Sequence, residues 1–274
     1  MSDDKQLKEI VKNKYAEIAI SADKASGCCG TTAPKGKSSC CSSSDVSYSI
    51  MNDEYKNLDG YVADADLQLG CGIPTEFAGI KKGDTVVDLG SGAGNDVFVA
   101  RSLVGEEGKV IGIDFTPEMI EKANKNNRKI GYNNVEFILG EIEEMPLPNN
   151  TANVIISNCV LNLVPNKVKA FSEMYKTLKP GGHFCVSDIV VIGNLPEKIR
   201  DSAALYAGCV SGAVTKDEYI SLIEKTGFKN IEVKKAKDIF IPDEYYLQSL
   251  AKEELVQFKL SGSGLKSITV VAYK

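Results

Sequence analysis

The stretch VVDLGSGAGND (residues 86–96) decides the fold. A run of apolar residues enters three glycines, Gly90, Gly92 and Gly94, and leaves into a segment of helical character. Glycines at such a turn permit a sharp reversal and let a ligand approach backbone N–H groups at a helix N-terminus. Outward from this loop the same rhythm repeats. TVVDLG (85–90), KVIGID (109–114), VEFIL (135–139), NVIIS (153–157) and HFCVSD (183–188) read as strands, with helical stretches near 95–104, 117–130 and 166–178. The strands are short and almost wholly apolar, as parallel strands covered on both faces are. Their alternation with helices predicts right-handed crossovers and a doubly wound, mostly parallel α/β sheet.

The flanks read differently. Residues 3–20 mix Leu7, Ile10, Val11, Ala16, Ile18 and Ile20 with charges, which predicts a helix whose Lys5, Lys8, Lys12 and Lys14 form a solvated face. Residues 21–49 are rich in Ser, Gly, Lys and Cys and carry few large apolar side chains, a composition suited to an arm or linker. Three regions follow: a helix and Cys/Ser-rich arm (1–48), the main α/β domain (49–193), and a small α+β appendage packed on it (194–274). Within the appendage, NLPEKIRDSAALYAG (194–208) reads as helix with Pro196 near its first turn. Thr215 reads as an N-cap with Glu218 three residues on, and Gly227 as a stop. NIEVKKA and KSITVVAYK alternate like strands with one exposed face.

Composition narrows the function. The 274 residues hold 32 Lys+Arg against 37 Asp+Glu, a net charge of −5. A mildly acidic chain lacks the field of a general nucleic-acid or anionic-membrane binder, so neither partner is expected. The single histidine, His183, argues against a His-rich metal centre and reads as structural. The first residues carry no apolar leader and no run approaches a membrane span, so a cytoplasmic location is expected, where stable disulfides are unusual. Eight cysteines in such a chain need a reason. Four form two vicinal pairs in the arm, Cys28–Cys29 and Cys40–Cys41. Cys185, inside an apolar strand, reads as core. Cys159 follows a parallel strand at its carboxyl end, where α/β sheets bind ligands. Cys71 and Cys209 lie in glycine-flanked, loop-like settings where an accessible thiol is expected.

The glycine loop is not a dinucleotide fingerprint, because Asn95 stands where the last glycine would be. Asp88 ahead of it suits a positively charged small molecule better than a pyrophosphate. Asp114 ends the second strand, where a carboxylate can accept hydrogen bonds from both ribose hydroxyls. With LKPGG (178–182), these residues resemble the class I S-adenosylmethionine-dependent methyltransferases, Rossmann-like proteins, over roughly residues 70–190. The resemblance implies that Asp88 and the loop Gly90, Ser91, Gly92 and Gly94 hold the methionine end, and that Asp114 holds the ribose. It implies Phe115 and Met119 near the adenine, Ile142 and Glu143 on its polar edge, and Asn158 and Cys159 lining the pocket.

The cysteine contexts are more specific. LGCGIP (69–74), ISNCVLNLVP (156–165), SDI (187–189) and AGCVSGA (207–213) resemble the arsenite methyltransferases. This implies that Cys159 and Cys209 bind trivalent arsenic, with Cys71 as a third thiol in the cycle, and that arsenite or its thiol conjugates are the substrate. Trivalent arsenic is soft and prefers thiolates. Held by sulfurs, it keeps a lone pair that can attack a sulfonium methyl without a general base, which agrees with the scarcity of histidine. The resemblance further implies disulfide formation between active-site cysteines and a thiol reductant, glutathione or thioredoxin. The family's additional N-terminal cysteine has four candidates here, Cys28, Cys29, Cys40 and Cys41, for capture or redox work. A monomer is expected. Two alternatives stay open: a methyltransferase of the same fold acting on a small organic or thiol acceptor, and a non-enzymatic metalloid-binding protein.

Overall fold

Neighbouring residues of the central strands serve two different cores. Val87, Ile111, Ile155 and Phe184 pack into one apolar cluster, while Val86, Val110, Ile156 and Cys185 pack into another. Side chains alternate across a strand, so a run apolar at every position is what a strand covered on both faces requires. The strands are β1 (Thr85–Leu89), β2 (Lys109–Asp114), β3 (Val135–Leu139), β4 (Ala152–Asn158), β5 (Leu178–Ile192), β6 (Lys229–Ile239) and β7 (Gly264–Tyr273). In the computed structural model, which describes residues 2–26, 55–200, 210 and 212–274, they form one seven-stranded sheet of order β3-β2-β1-β4-β5-β7-β6. The first five run parallel, and β7 runs antiparallel to both of its neighbours.

The helices are α1 (Ser2–Ser26), α2 (Asn95–Val104), α3 (Pro117–Ile130), α4 (Lys167–Thr177), α5 (Glu197–Arg200), α6 (Lys216–Lys225), α7 (Asp243–Tyr246) and α8 (Lys252–Leu260). α3 carries Pro117 at its first position and ends on Gly131 at φ +82°, a start and stop written in the sequence. α6 begins with a complete capping box: the Thr215 side chain accepts from the Glu218 N–H, and Glu218 accepts from the Thr215 N–H. Among the described residues, no helix is long and apolar enough to cross a membrane.

The C-terminal region departs from the sequence expectation. Strands on both sides of residue 193 share one sheet, because β7 pairs with β5 from His183↔Tyr273 to Ile192↔Gly264. Residues 194–274 therefore supply the last two strands of the main sheet instead of packing on it as an appendage. The same pairing carries β5 well beyond 183–188. β7, sandwiched between β5 and β6, is buried almost throughout and does not alternate, and the edge strand β6 is exposed along its length except for the half-buried Ile231, Lys235 and Ile239. Of the helix expected over 194–208, Glu197–Arg200 is helical, and 201–209 lie outside the described residues. Cys28, Cys29, Cys40, Cys41 and Cys209 also lie outside them.

A third apolar cluster sits beyond the carboxyl end of β4. It joins Val11 of α1, Cys71, Cys159, Leu163, Ile189 and residues of α5 and the C-terminal helices. Two of the cysteines singled out in the sequence thus share one apolar environment.

Candidate active site

β2 leaves β1 on one side and β4 flanks it on the other, so the carboxyl ends of β1 and β4 frame the topological switch point of the sheet. Ligands of open α/β sheets bind in that crevice. Here it is a cleft of about 1220 Å³ including its open mouth, walled by the loop after β1, the ends of β2 and β4, the 140–143 segment and α1.

The glycine loop is held from behind. The N–H groups of Gly90 and Ser91 both donate to the Ile113 carbonyl, that of Gly92 to Asp114 Oδ2 at 2.9 Å, and that of Gly94 to the Ser91 carbonyl. These N–H groups are therefore spent within the protein, and the loop offers shape and carboxylates instead of an anion cradle. Gly90 has φ +70°, and a Cβ there would stand 2.4 Å from Val160 Cγ2, so only glycine closes this turn. Gly94 is the left-handed N-cap of α2, packed on the rings of Phe98 and Phe137, and does not line the cleft.

Three aspartates, Asp88, Asp96 and Asp114, line the cleft beside the glycine loop, with Glu141 and Glu143 also in its wall. Asp88, at the end of β1, is held well above the usual carboxylate range by burial and then by the charges of Asp96 and Asp114. Asp96, in the first turn of α2, is pushed up to about 6 by burial, against the hydrogen bonds it accepts from Asn158 and Tyr55. Asp114 is raised by burial, with the Thr116 and Gly92 N–H groups working the other way. Carboxyls raised by burial, and in Asp88 by neighbouring carboxylates as well, are relieved by a cation. Ser91 Oγ and Asn95 Oδ1, also in the cleft wall, have no hydrogen-bond partner among the described residues. Buried polar atoms left without partners mark where a ligand completes the set. A sulfonium and ammonium-bearing nucleoside fits this wall; a pyrophosphate does not.

Phe115, Ile142 and Glu143, which the sequence reading assigned to an adenine, line the same cleft. Met119 departs from expectation. It is fully buried below the loop, its Sδ 3.9 Å from where a Cβ on Gly92 would stand, and it does not reach the cleft. Its position in the first turn of α3 turns it into the core under the loop. Lys8 also departs. Instead of a solvated face, α1 presents Lys8, Val11 and Tyr15 to the cleft, and Lys8 Nζ pairs with Glu143 and, at 2.6 Å, with Glu141. Nothing local in the sequence signals this, because the partners lie more than a hundred residues away.

Cys159 opens the opposite wall. It follows β4 with φ +61°, a left-handed conformation that costs a non-glycine residue energy, and its N–H donates to the Ser187 carbonyl at 2.7 Å. It is 5% exposed and lines the cleft. Cys71 is 1% exposed, contrary to the accessible loop thiol expected. Its loop is pressed onto the strand ends. Cys71 and Gly72 N–H groups donate to Asn158 Oδ1 at 3.0 and 3.3 Å, and Ser267 Oγ donates to the Cys71 carbonyl at 2.6 Å. Asn158 lines the cleft, where the sequence places it, and at the same time gives its amide to this loop. Tyr55 and Asp96, which join the same cluster, escaped the sequence reading altogether. Tyr219 of α6 donates to Asp188 Oδ2 behind the cysteines, and Cys71 and Cys159 add to the rise of its hydroxyl pKa after burial and Asp188. Asp188 itself is pushed up to about 7 by burial.

Cys185 is fully buried between the strands, and burial pushes its thiol up to about 12, as befits a core residue. His183 Nε2 lies within hydrogen-bond reach of the Ala78 carbonyl, its ring against Tyr273, away from the cleft.

The chain is similar to known methyltransferases. A family described as a methyltransferase domain matches residues 80–227. An arsenite methyltransferase of Halobacterium salinarum is 42% identical over 235 residues, 84% of this chain and 59% of the relative. The human arsenite methyltransferase is 41% identical over 152 residues, 52% of this chain and 40% of the relative. The chain thus spans less than two thirds of these relatives' lengths. Among solved structures, the arsenic(III) S-adenosylmethionine methyltransferase CrArsM of Chlamydomonas reinhardtii is 37% identical. It superposes with a TM-score of 0.64, over 75% of this chain and 67% of that one. The chain belongs to the methyltransferase-domain family and has the class I S-adenosylmethionine-dependent methyltransferase fold.

Proposed function

We propose that this protein methylates trivalent arsenic with S-adenosylmethionine, the arsenic being held by cysteine thiolates. The observation that carries this reading is the placement of Cys159 in the wall of an acid-lined cleft, in one apolar cluster with Cys71. The names of the relatives and of CrArsM support it.

S-adenosylmethionine supplies an electrophilic methyl group on a sulfonium. Asp88, Asp96 and Asp114 balance its positive charges, and Phe115, Ile142 and Glu143 form the wall for the adenine. Cys159, Cys71 and Cys209 bind arsenic through their sulfurs, each S–As bond replacing a hydroxyl that leaves as water with the thiol proton. The bound arsenic keeps a lone pair, which attacks the methyl carbon, so no side chain need remove a proton at that step. Apolar neighbours, Val11 and Leu163 among them, exclude water while charge is lost from the sulfonium. The contribution of the protein is then largely positioning of two reactants at near-attack distance. Methylation takes arsenic formally from the trivalent to the pentavalent state. Two thiolates return two electrons and become a disulfide, which glutathione or thioredoxin reduces. Cys28, Cys29, Cys40 and Cys41 are candidates for capture or for this redox step.

Calorimetry with arsenite and, separately, with S-adenosylmethionine tests the assignment. Cys159→Ser is expected to lose arsenite binding and keep cofactor binding. Undiminished arsenite affinity in Cys159→Ser overturns the thiol assignment.

A further inference from the structure

The hydrogen bonds at the end of β4 converge on one side chain. Asn158 Oδ1 accepts from the N–H groups of Cys71 and Gly72, which fixes the orientation of the amide, since backbone N–H groups can only donate. Its Nδ2 donates to the Gly72 carbonyl at 2.7 Å, to Tyr55 Oη at 2.8 Å and to Asp96 Oδ2 at 3.2 Å. Tyr55 Oη is in turn 3.0 Å from both Asp96 carboxylate oxygens and from the Gly72 carbonyl. The loop backbone lies directly against its neighbours, so only glycine fits at two of its positions. A Cβ on Gly70, at φ +118°, would stand 2.8 Å from Asn158 Nδ2, and one on Gly72 would stand 2.5 Å from Ser187 Oγ. Asp96 and Asn158 line the cleft, whereas Cys71 lies behind them.

We infer that Asn158 and Tyr55 are positioning residues that couple occupancy of the cleft to the placement of the Cys71 thiol. A cation in the cleft engages Asp96 and keeps its carboxylate ionised and in place; Asp96 holds Tyr55 and the Asn158 amide; and these hold both peptide groups of the Cys71–Gly72 loop. A filled cleft thus closes the thiol loop, and an empty one leaves it easier to open. Charge-assisted hydrogen bonds are the stronger ones, so a bond to Asp96 transmits more than a neutral contact would. By linkage, a closed loop also tightens the cleft. The inference rests on the reading of the cleft as the cofactor site, and its test needs no arsenic turnover.

A buried thiol reacts only when its loop opens, so alkylation of Cys71 reads the opening directly. The reduced full-length protein is treated with iodoacetamide, with and without saturating S-adenosylmethionine, and modification of Cys71 and Cys185 is followed by peptide mass spectrometry. Calorimetry separately measures cofactor affinity and so tests the cofactor reading by itself. The unsubstituted chain is expected to show Cys71 alkylation slowed at least fivefold by S-adenosylmethionine. Tyr55→Phe and Asn158→Ala are expected to cut that protection to less than twofold at saturating cofactor. Cys185, in the core, reports global unfolding and is expected to react equally slowly in all three. Tyr55→Phe is the milder change and keeps the ring packed if Asn158→Ala loosens the fold. Full protection of Cys71 in both variants, or none in the unsubstituted chain despite bound cofactor, overturns the coupling.

Discussion

Asp96→Asn is expected to make the ligand-free protein more stable near neutral pH while weakening its hold on the cofactor. Burial raises the Asp96 carboxyl from 3.8 to about 6. That difference corresponds to about 3 kcal/mol at ~1.36 kcal/mol per pH unit. The folded chain binds more protons than the unfolded chain between these two values, so unfolding free energy falls as pH rises through that window and levels off above it. Asparagine does not titrate. The stability of the variant relative to the unsubstituted chain should therefore grow by about 2 kcal/mol between pH 4.5 and 7, the part of the window above pH 4.5. A pH-independent loss of about 1 kcal/mol from the altered contact with Asn158 offsets part of this. At pH 7.5 the missing carboxylate should weaken S-adenosylmethionine binding about ten- to a hundredfold, the range of one hydrogen bond to a charged group. Urea unfolding of both proteins from pH 4.5 to 7.5, with calorimetry at pH 7.5, measures the two effects. A stability difference that stays flat or shrinks as pH rises would refute the reasoning, as would an unchanged cofactor affinity.

Other changes have defined outcomes. Thr215→Ala removes the acceptor of the α6 capping box and should cost about 1 kcal/mol, lowering Tm by about 2–4 °C in a scan; an unchanged Tm contradicts the cap. Lys8→Met breaks the pairs to Glu141 and Glu143 that hold α1 over the cleft. Such a partly exposed pair is worth about 1 kcal/mol or less, so stopped-flow release of S-adenosylhomocysteine should quicken up to about fivefold with Tm nearly constant. An unchanged release rate would show that α1 does not guard the cleft. Tyr219→Phe deprives Asp188, whose pKa lies at about 7, of a donor that favours its ionised form. Its stability penalty should therefore be larger at pH 8.5 than at pH 6, by urea unfolding; an equal penalty at both argues against the assignment.

The parts of the fold legible in the sequence are those set by local rules. β2 and β3, with α2 and α3, start and stop where the apolar runs, Pro117, Gly105 and Gly131 say they should. The parts that were not legible depend on distant partners. β5 gains its length from pairing with β7, which lies some eighty residues on, and β7 loses its exposed face by lying inside the sheet. α8 has no side-chain acceptor at Ala251, so its start carries little signal beyond Glu254, which accepts from the Ala251 N–H. At the site, Asp88, Asp114 and Cys159 stand at strand ends and could be placed by topology. Cys71 could not, because its burial follows from the grip of Asn158 and Ser267 on its loop. Tyr55 and Lys8 enter the site from segments far from any motif.

The central claim is that cysteine-bound arsenic accepts a methyl group in this cleft. Its most direct measurement is incubation of the purified protein with arsenite, S-adenosylmethionine and glutathione, with arsenic species and S-adenosylhomocysteine quantified together. Methylated arsenic should appear with one S-adenosylhomocysteine per methyl group transferred, and Cys159→Ser should form neither. S-adenosylmethionine binding without any methylated arsenic under these reducing conditions would contradict the account.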